Sequence, residues 1–233
     1  MKKLLLIVVV LGLLGSCEYK TGSGKLVTQT RSVEAFKSVS VGGGFEVEIQ
    51  IGSPAKVVIE ADDNLIEDID AKVSNGQLKI SLADGLSFNE AHMKVYITNP
   101  EINGISSSAS AKVIVLNELK SVEKIVLKAS SGSSIKATLD APTAEADASS
   151  GAEILLKGRT KSFDAESSSG AAVKASDLLS ENTSVQASSG ASTMVHASVQ
   201  LNAKASSGGS VSYRGSAAAV IKESSGGSIN KEN

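Results

Sequence analysis

Ile125-Val-Leu-Lys-Ala-Ser-Ser-Gly-Ser-Ser-Ile135 is answered nineteen residues later by Ala144-Glu-Ala-Asp-Ala-Ser-Ser-Gly-Ala-Glu-Ile154. Each stretch sets small or apolar residues at alternate positions, turns at Ser-Ser-Gly, and resumes with a β-branched residue three positions past the glycine. The phrase returns with glycines at Gly132, Gly151, Gly170, Gly190, Gly208 and Gly226, spaced 19, 19, 20, 18 and 18, after a degenerate first copy at Ser107-Ser108-Ala109. Alternation of period two marks strands with one buried face. A strand, a glycine turn and another strand, repeated at a fixed interval, mark the coils of a solenoid.

The flanks support this reading column by column. Before the turns the alternate residues are Ile125/Leu127/Ala129, Ala144/Ala146/Ala148, Phe163/Ala165/Ser167, Thr183/Val185/Ala187 and Leu201/Ala203/Ala205. After them come Ile135, Ile154, Val173, Thr193, Val211 and Ile229, and two positions on Ala137, Leu156, Ala175, Val195 and Tyr213. The intervening residues are mostly polar. A Ser/Gly linker would not hold that alternation in register with its glycines, and serine, glycine and β-branched residues disfavour helix. The spacing therefore predicts an all-β parallel solenoid of 18–20-residue coils over residues 106–233. Its seven turns would span roughly 29 Å at one strand spacing per step. Glycine is expected to supply the positive φ at each corner, and the serines to form hydroxyl ladders along the stack. Glu223 stands in a column filled elsewhere by Ala or Ser, as suits a terminal coil that must resist edge-to-edge pairing.

Residues 26–105 are β-rich but more irregular. Val39/Val41, Phe45/Val47/Ile49, Val57/Ile59, Leu78/Ile80/Leu82 and Val95/Ile97 alternate, and Asn75-Gly76 between Val73 and Leu78 is a strong hairpin signal. Only Asn64 to Asp70 could hold a helical turn. This half is expected to be a wider opening of the same β-structure, or a β-sheet subdomain packed on its end.

Residues 1–16 have the parts of a secretory signal: Lys2 and Lys3, an apolar run from Leu4 to Leu14, and a small-residue cleavage site. The run is too short to cross a bilayer, which needs roughly 20 helical residues. Leu14-Gly15-Ser16-Cys17 resembles the lipobox, so Cys17, the single cysteine, is the expected lipidation site. Two or three acyl chains such as palmitate would anchor it stably where one binds marginally. Residues 17–25, polar and glycine-rich, are expected to be the lipidated cysteine and a tether; Glu18–Lys25 would reach at most roughly 27 Å. Glu18 at the position after the cysteine favours the outer membrane.

Composition excludes several classes. Aromatics are 3% with no Trp, which disfavours a carbohydrate-stacking platform, and a net charge of −2 implies no nucleic-acid partner. The two histidines, His92 and His196, have no second cysteine to join them in a zinc site. There is no Gly-x-Ser-x-Gly elbow and no Gly-rich phosphate loop. The Ser-Ser-Gly serines lack a partner base, and no catalytic residue and no cofactor are expected. Glu60, Asp62 and Asp63, in Glu60-Ala-Asp-Asp-Asn64, offer hard oxygens to Ca²⁺, but such clusters also make turns, and the turn is the favoured reading.

The run Phe36-Lys-Ser-Val-Ser-Val-Gly-Gly-Gly-Phe-Glu-Val-Glu-Ile-Gln-Ile-Gly52, then Val57-Val-Ile-Glu-Ala-Asp-Asp-Asn64, Asn75-Gly-Gln-Leu-Lys-Ile80 and Val95-Tyr-Ile-Thr-Asn-Pro-Glu-Ile-Asn-Gly-Ile105, together with the later Ser-Ser-Gly coils, resemble the head GIN domain family of putative auto-transporter adhesins. The resemblance covers nearly all of the chain after Cys17. It implies a right-handed β-helix-like fold and a place among envelope lipoproteins of Bacteroides-like bacteria. It brings no catalytic residues. An autotransporter needs a membrane barrel, and the residues after Gly227 are too few for one, so Cys17 is expected to serve as the membrane attachment. The functional expectation is an envelope lipoprotein with a non-catalytic solenoid for adhesion or protein–protein contact. The alternative is a carbohydrate-binding or polysaccharide-cleaving β-helix.

Overall fold

The computed structural model describes residues 18–83 and 85–232; the signal segment 1–16 and Cys17 lie outside the described residues. Eighteen strands among the described residues join one continuous sheet, and a separate pair forms from Glu18–Thr21 and Leu86–Asn89. No α-helix occurs among them; the one helical turn, Ile66–Asp68, falls inside the expected segment.

The C-terminal columns stack in register. Ile135, Ile154, Val173, Thr193, Val211 and Ile229 are successive partners on one face. On the other, Ile125, Ala144, Phe163, Thr183 and Leu201 follow one another. All of these are buried. The long strands Ser134–Ala148, Glu153–Ser167 and Ala172–Ala187 each run from one Ser-Ser-Gly corner to the next, bending midway to add a short third face. The interior is narrow. Ala144, Ala146, Ala148, Ala165, Ala175 and Ala203 are fully enclosed, which explains why so few large side chains suffice.

The corners are type I′ turns in which both central residues have positive φ. Ser131 and Gly132 sit at 51° and 70°, and the same pair recurs down to Ser225 and Gly226 at 48° and 75°. The serine therefore shares the left-handed conformation that the sequence assigns to glycine alone. Each turn is closed by a bond such as Ser133 N–H to Ser130 C=O at 3.2 Å. The turns are joined to one another through the backbone. Gly132 N–H donates to Ser150 C=O at 3.0 Å, Gly151 to Ser169 at 3.0 Å and Gly170 to Ser189 at 3.1 Å. Along the Ser-Ser-Gly corners the ladder is thus made by peptide groups; serine hydroxyls step from coil to coil elsewhere, where Ser216 Oγ donates to Ser198 C=O at 3.1 Å and Ser198 Oγ to Ser180 C=O at 3.2 Å. The degenerate copy also lies one residue later than expected: Ser107 pairs with Ala129, so the turn is Ser108-Ala109-Ser110-Ala111.

The N-terminal half continues the stack in a rearranged chain order. Ser38–Val41 lies between Gly104–Ser107 and Gln77–Leu82, and Glu46–Ile51 lies between Lys112–Lys120 and Met93–Asn99. The coil made first in the chain is thus internal, and the coil of residues 77–99 covers it. Gly42-Gly43-Gly44 is one more corner of the same ladder, with Gly44 N–H on Ala109 C=O at 2.9 Å. The separate Glu18–Thr21/Leu86–Asn89 pair is itself parallel, while in the main sheet parallel pairing stops beyond the 77–99 coil. There Lys56–Asp62 runs antiparallel between Met93–Asn99 and Leu26–Arg31, and Ile69–Ser74 pairs antiparallel with Gln77–Leu82 through Asn75-Gly76. These strands cap the solenoid and protect its open edge.

Residues 18–25 are not the free tether expected from their composition. Glu18–Thr21 pairs with Leu86–Asn89, and Lys20 Nζ lies 2.7 Å from Asp68 Oδ2. Local sequence reads as linker, but specific long-range acceptors hold it down.

Candidate interaction surface

Because coils stack in register, outward side chains also form columns. On one face Glu145 adjoins Asp164 and Asp147 adjoins Glu166, a block of four carboxylates on two neighbouring coils. Like charges on adjacent rungs oppose each other. Lys124 pairs with Glu145, and Gln186 Nε2 donates to Glu166 Oε1 at 3.1 Å, which relieves part of that repulsion. Further along the row stand Lys204 and Lys222, so charge changes sign along the solenoid. The opposite face carries the outward column Ile114, Lys136, Leu155, Lys174 and Met194, which alternates apolar and cationic groups.

The short third face is concave. A groove of about 610 Å³ follows the corner over four coils, with Asp140, Arg159, Lys161, Leu179, Glu181 and His196 in its wall. Arg159 donates to Asp140 and holds its carboxyl below the usual carboxylate range. Lys157, 2.9 Å from Asp177, lowers that carboxyl in the same way. Leu179 is 57% exposed, an apolar side chain among charges. The groove floor is closed by hydroxyls turned onto the backbone: Ser180 and Thr183 both donate to the His196 carbonyl, Thr183 at 2.8 Å. His196 Nδ1 is buried and has no hydrogen-bond partner. His196 is thus half-buried at the end of its strand, where alternation predicts an outward side chain.

His92 belongs to the cap, with Nε2 2.7 Å from Glu60 Oε1. The two histidines stand in separate surroundings, and no group of three His, Cys, Asp or Glu positioned for a metal occurs among the described residues. The carboxylates of residues 60–63 have other partners. Glu60 meets His92; buried Asp62 accepts N–H bonds from Gly24 at 2.7 Å and His92 at 2.8 Å; Asp63 accepts the Ser23 hydroxyl at 2.6 Å and the Lys25 ammonium at 3.2 Å. Ser23 and then Lys25 hold the Asp63 carboxyl below its ordinary range. The Asp/Asn run is therefore a clasp on residues 21–25. A Cβ at Gly22 would lie 2.4 Å from Asp62 Oδ2, which is why that approach needs glycine.

The sequence reading did not foresee the corner groove. Its residues come from 140–142, 159–161, 179–181 and 196–198, and the one available signal was their recurrence at the coil period.

The family described as "Putative auto-transporter adhesin, head GIN domain" matches residues 35–217. No curated protein matches the chain. Among solved structures, a putative adhesin from Bacteroides fragilis is similar with a TM-score of 0.84 at 20% identity, over 91% of this chain and 100% of that one. A putative adhesin from Parabacteroides distasonis gives 0.73 at 20% identity, over 92% and 100%. A protein from the same species described as a putative lipid binding protein gives 0.72 at 16% identity, over 93% and 100%. At these identities the likeness is one of fold.

Proposed function

This chain belongs to the head GIN domain family, and from that membership we propose that it is a lipid-anchored envelope protein whose solenoid serves adhesion or protein–protein contact without catalysis. The observation that carries the reading is the in-register stack. Backbone ladders hold the outward columns of side chains at fixed spacing over the whole solenoid, which suits an extended, rigid contact surface. The family description and the adhesin-like structural neighbours point the same way. Cys17, after Leu14-Gly15-Ser16, is the proposed acylation site, and the outer membrane the proposed location.

Two experiments test this. Cys17→Ala should move the protein from the membrane to the soluble fraction and abolish incorporation of labelled palmitate; unchanged retention would remove the anchor. A pull-down from outer membranes with the soluble domain should recover a partner whose binding is lost when the face is altered at Glu145, Asp164 and Glu166 together.

A second reading rests on the groove, which brings Asp140, Arg159, Lys161, Glu181 and His196 together. Mixed acids and bases in one cleft suit a carbohydrate-binding or polysaccharide-cleaving protein. Turnover of a polyuronide in the presence of Ca²⁺ would favour that reading over adhesion.

A further inference from the structure

We infer that residues 18–25 form a docked strut which seats the capped end of the solenoid directly on lipid headgroups. The inference rests on the acylation of Cys17 proposed above and adds which surface meets the bilayer. Cys17 is bonded to Glu18, the first residue of the strand Glu18–Thr21 that pairs with Leu86–Asn89. From there the chain is held at nearly every step. Lys20 bonds to Asp68; Asn64 donates to Thr21 C=O at 2.9 Å and accepts from Ser23 N–H at 3.0 Å; Gly24 N–H bonds to buried Asp62 at 2.7 Å. Asp63 N–H returns a bond to Lys25 C=O at 2.9 Å.

A free segment of eight residues would wander about 15 Å on average and reach roughly 27 Å when extended. The docked one leaves a single peptide unit, about 3.8 Å between Cα atoms, from the acylated residue to the folded surface. Tyr19, two positions past the cysteine, is 72% exposed. An amphipathic ring placed there sits naturally at headgroup depth. The partner of this end is therefore a lipid surface. The last coil, Ala218–Glu223, is eight strand steps from Gln77–Leu82 beside the cap, or roughly 38 Å along the stack.

Neutron reflectometry of the full lipidated chain on a phosphatidylethanolamine/phosphatidylglycerol bilayer tests the seating. Protein density should begin at the headgroups with no hydrated layer between, and the triple variant Lys20→Pro/Asp62→Ala/Asn64→Ala, which breaks the Glu18–Thr21 pairing and the Asp68 bond together with the clasp, should open one of about 15 Å. A hydrated layer of that size under the unaltered chain would overturn the inference while leaving the anchor intact. Failure of the lipidated chain to stay on the bilayer would overturn the anchor reading, and the seating with it. Hydrogen exchange on the unaltered protein is independent of the variants and of the lipid. The Ser23 and Gly24 amides should exchange at least tenfold more slowly than an unstructured segment, and unprotected amides there would remove the strut.

Discussion

Ser110 occupies, one coil earlier, the place of Gly132: its φ is 63° against 70°, and its N–H donates to Ser131 C=O at 3.0 Å just as Gly132 donates to Ser150. A residue with a Cβ pays about 1 kcal/mol or more for that conformation, and glycine does not. Ser110→Gly should therefore raise stability by about 1 kcal/mol, and Gly132→Ala should lower it by a similar amount. The nearest atom to a Cβ at Gly132 is Ser110 Oγ at 3.8 Å, so no clash adds to the cost. Urea midpoints of the two variants would show the opposite signs.

Gly158 is a different case, although its φ is also positive at 108°. It stacks between Leu139 and Leu178, and a Cβ would fall 2.0 Å from the Leu139 carbonyl oxygen. Gly158→Ala should cost about 3 kcal/mol or more, since the obstacle is backbone of the adjacent coil. Its thermal midpoint should drop well below that of Gly132→Ala.

Ala165 lies fully buried between Ala146 and Val185. Ala165→Leu should overpack the narrow interior and cost about 1–3 kcal/mol, whereas Leu127→Ala should open a cavity worth about 2–5 kcal/mol. The two should differ in character: a cavity leaves the outer columns in place, while overpacking separates neighbouring coils. Amide exchange at Ala146 and Val185 would distinguish them.

Asp62→Ala removes a buried acceptor of two N–H bonds, at a cost of about 2–4 kcal/mol, and should free residues 22–25 without disturbing the Ser-Ser-Gly coils. Added Ca²⁺ should leave the melting temperature of the unaltered protein unchanged, since each carboxylate in residues 60–63 has a protein partner.

Acid should act through Asp63, Asp140 and Asp177, which Ser23, Arg159 and Lys157 respectively hold below the usual range. A carboxyl lowered on folding contributes stability above its unfolded value, about 3.9, and that contribution disappears as pH falls through the lower folded value. Lys37 and Lys94, raised by Glu101 and Glu48, contribute below about 10.4 and lose that contribution as pH rises through their higher folded values. Asp63, Asp177 and Lys37 are exposed and Asp140 and Lys94 half-buried at the surface, so a broad plateau of stability with shallow shoulders is expected in a pH series of urea midpoints.

The sequence by itself determined the coil length, the inward columns and the Asn75-Gly76 hairpin. Each is local: period-two alternation and turn chemistry are written within one coil and repeated in the next, and stacking preserves them. The chain order of the first coils is not local. Ser38–Val41 pairs with Gly104–Ser107 across more than sixty intervening residues, and nothing within either strand names the other. The same holds for the clasp, where Gly24 finds Asp62, and for the groove, assembled from four separate corners. Tertiary structure decided these, because edge pairing and buried hydrogen-bond demand select partners by position in space. That is why a polar, glycine-rich segment beside Cys17 becomes a strut instead of a tether.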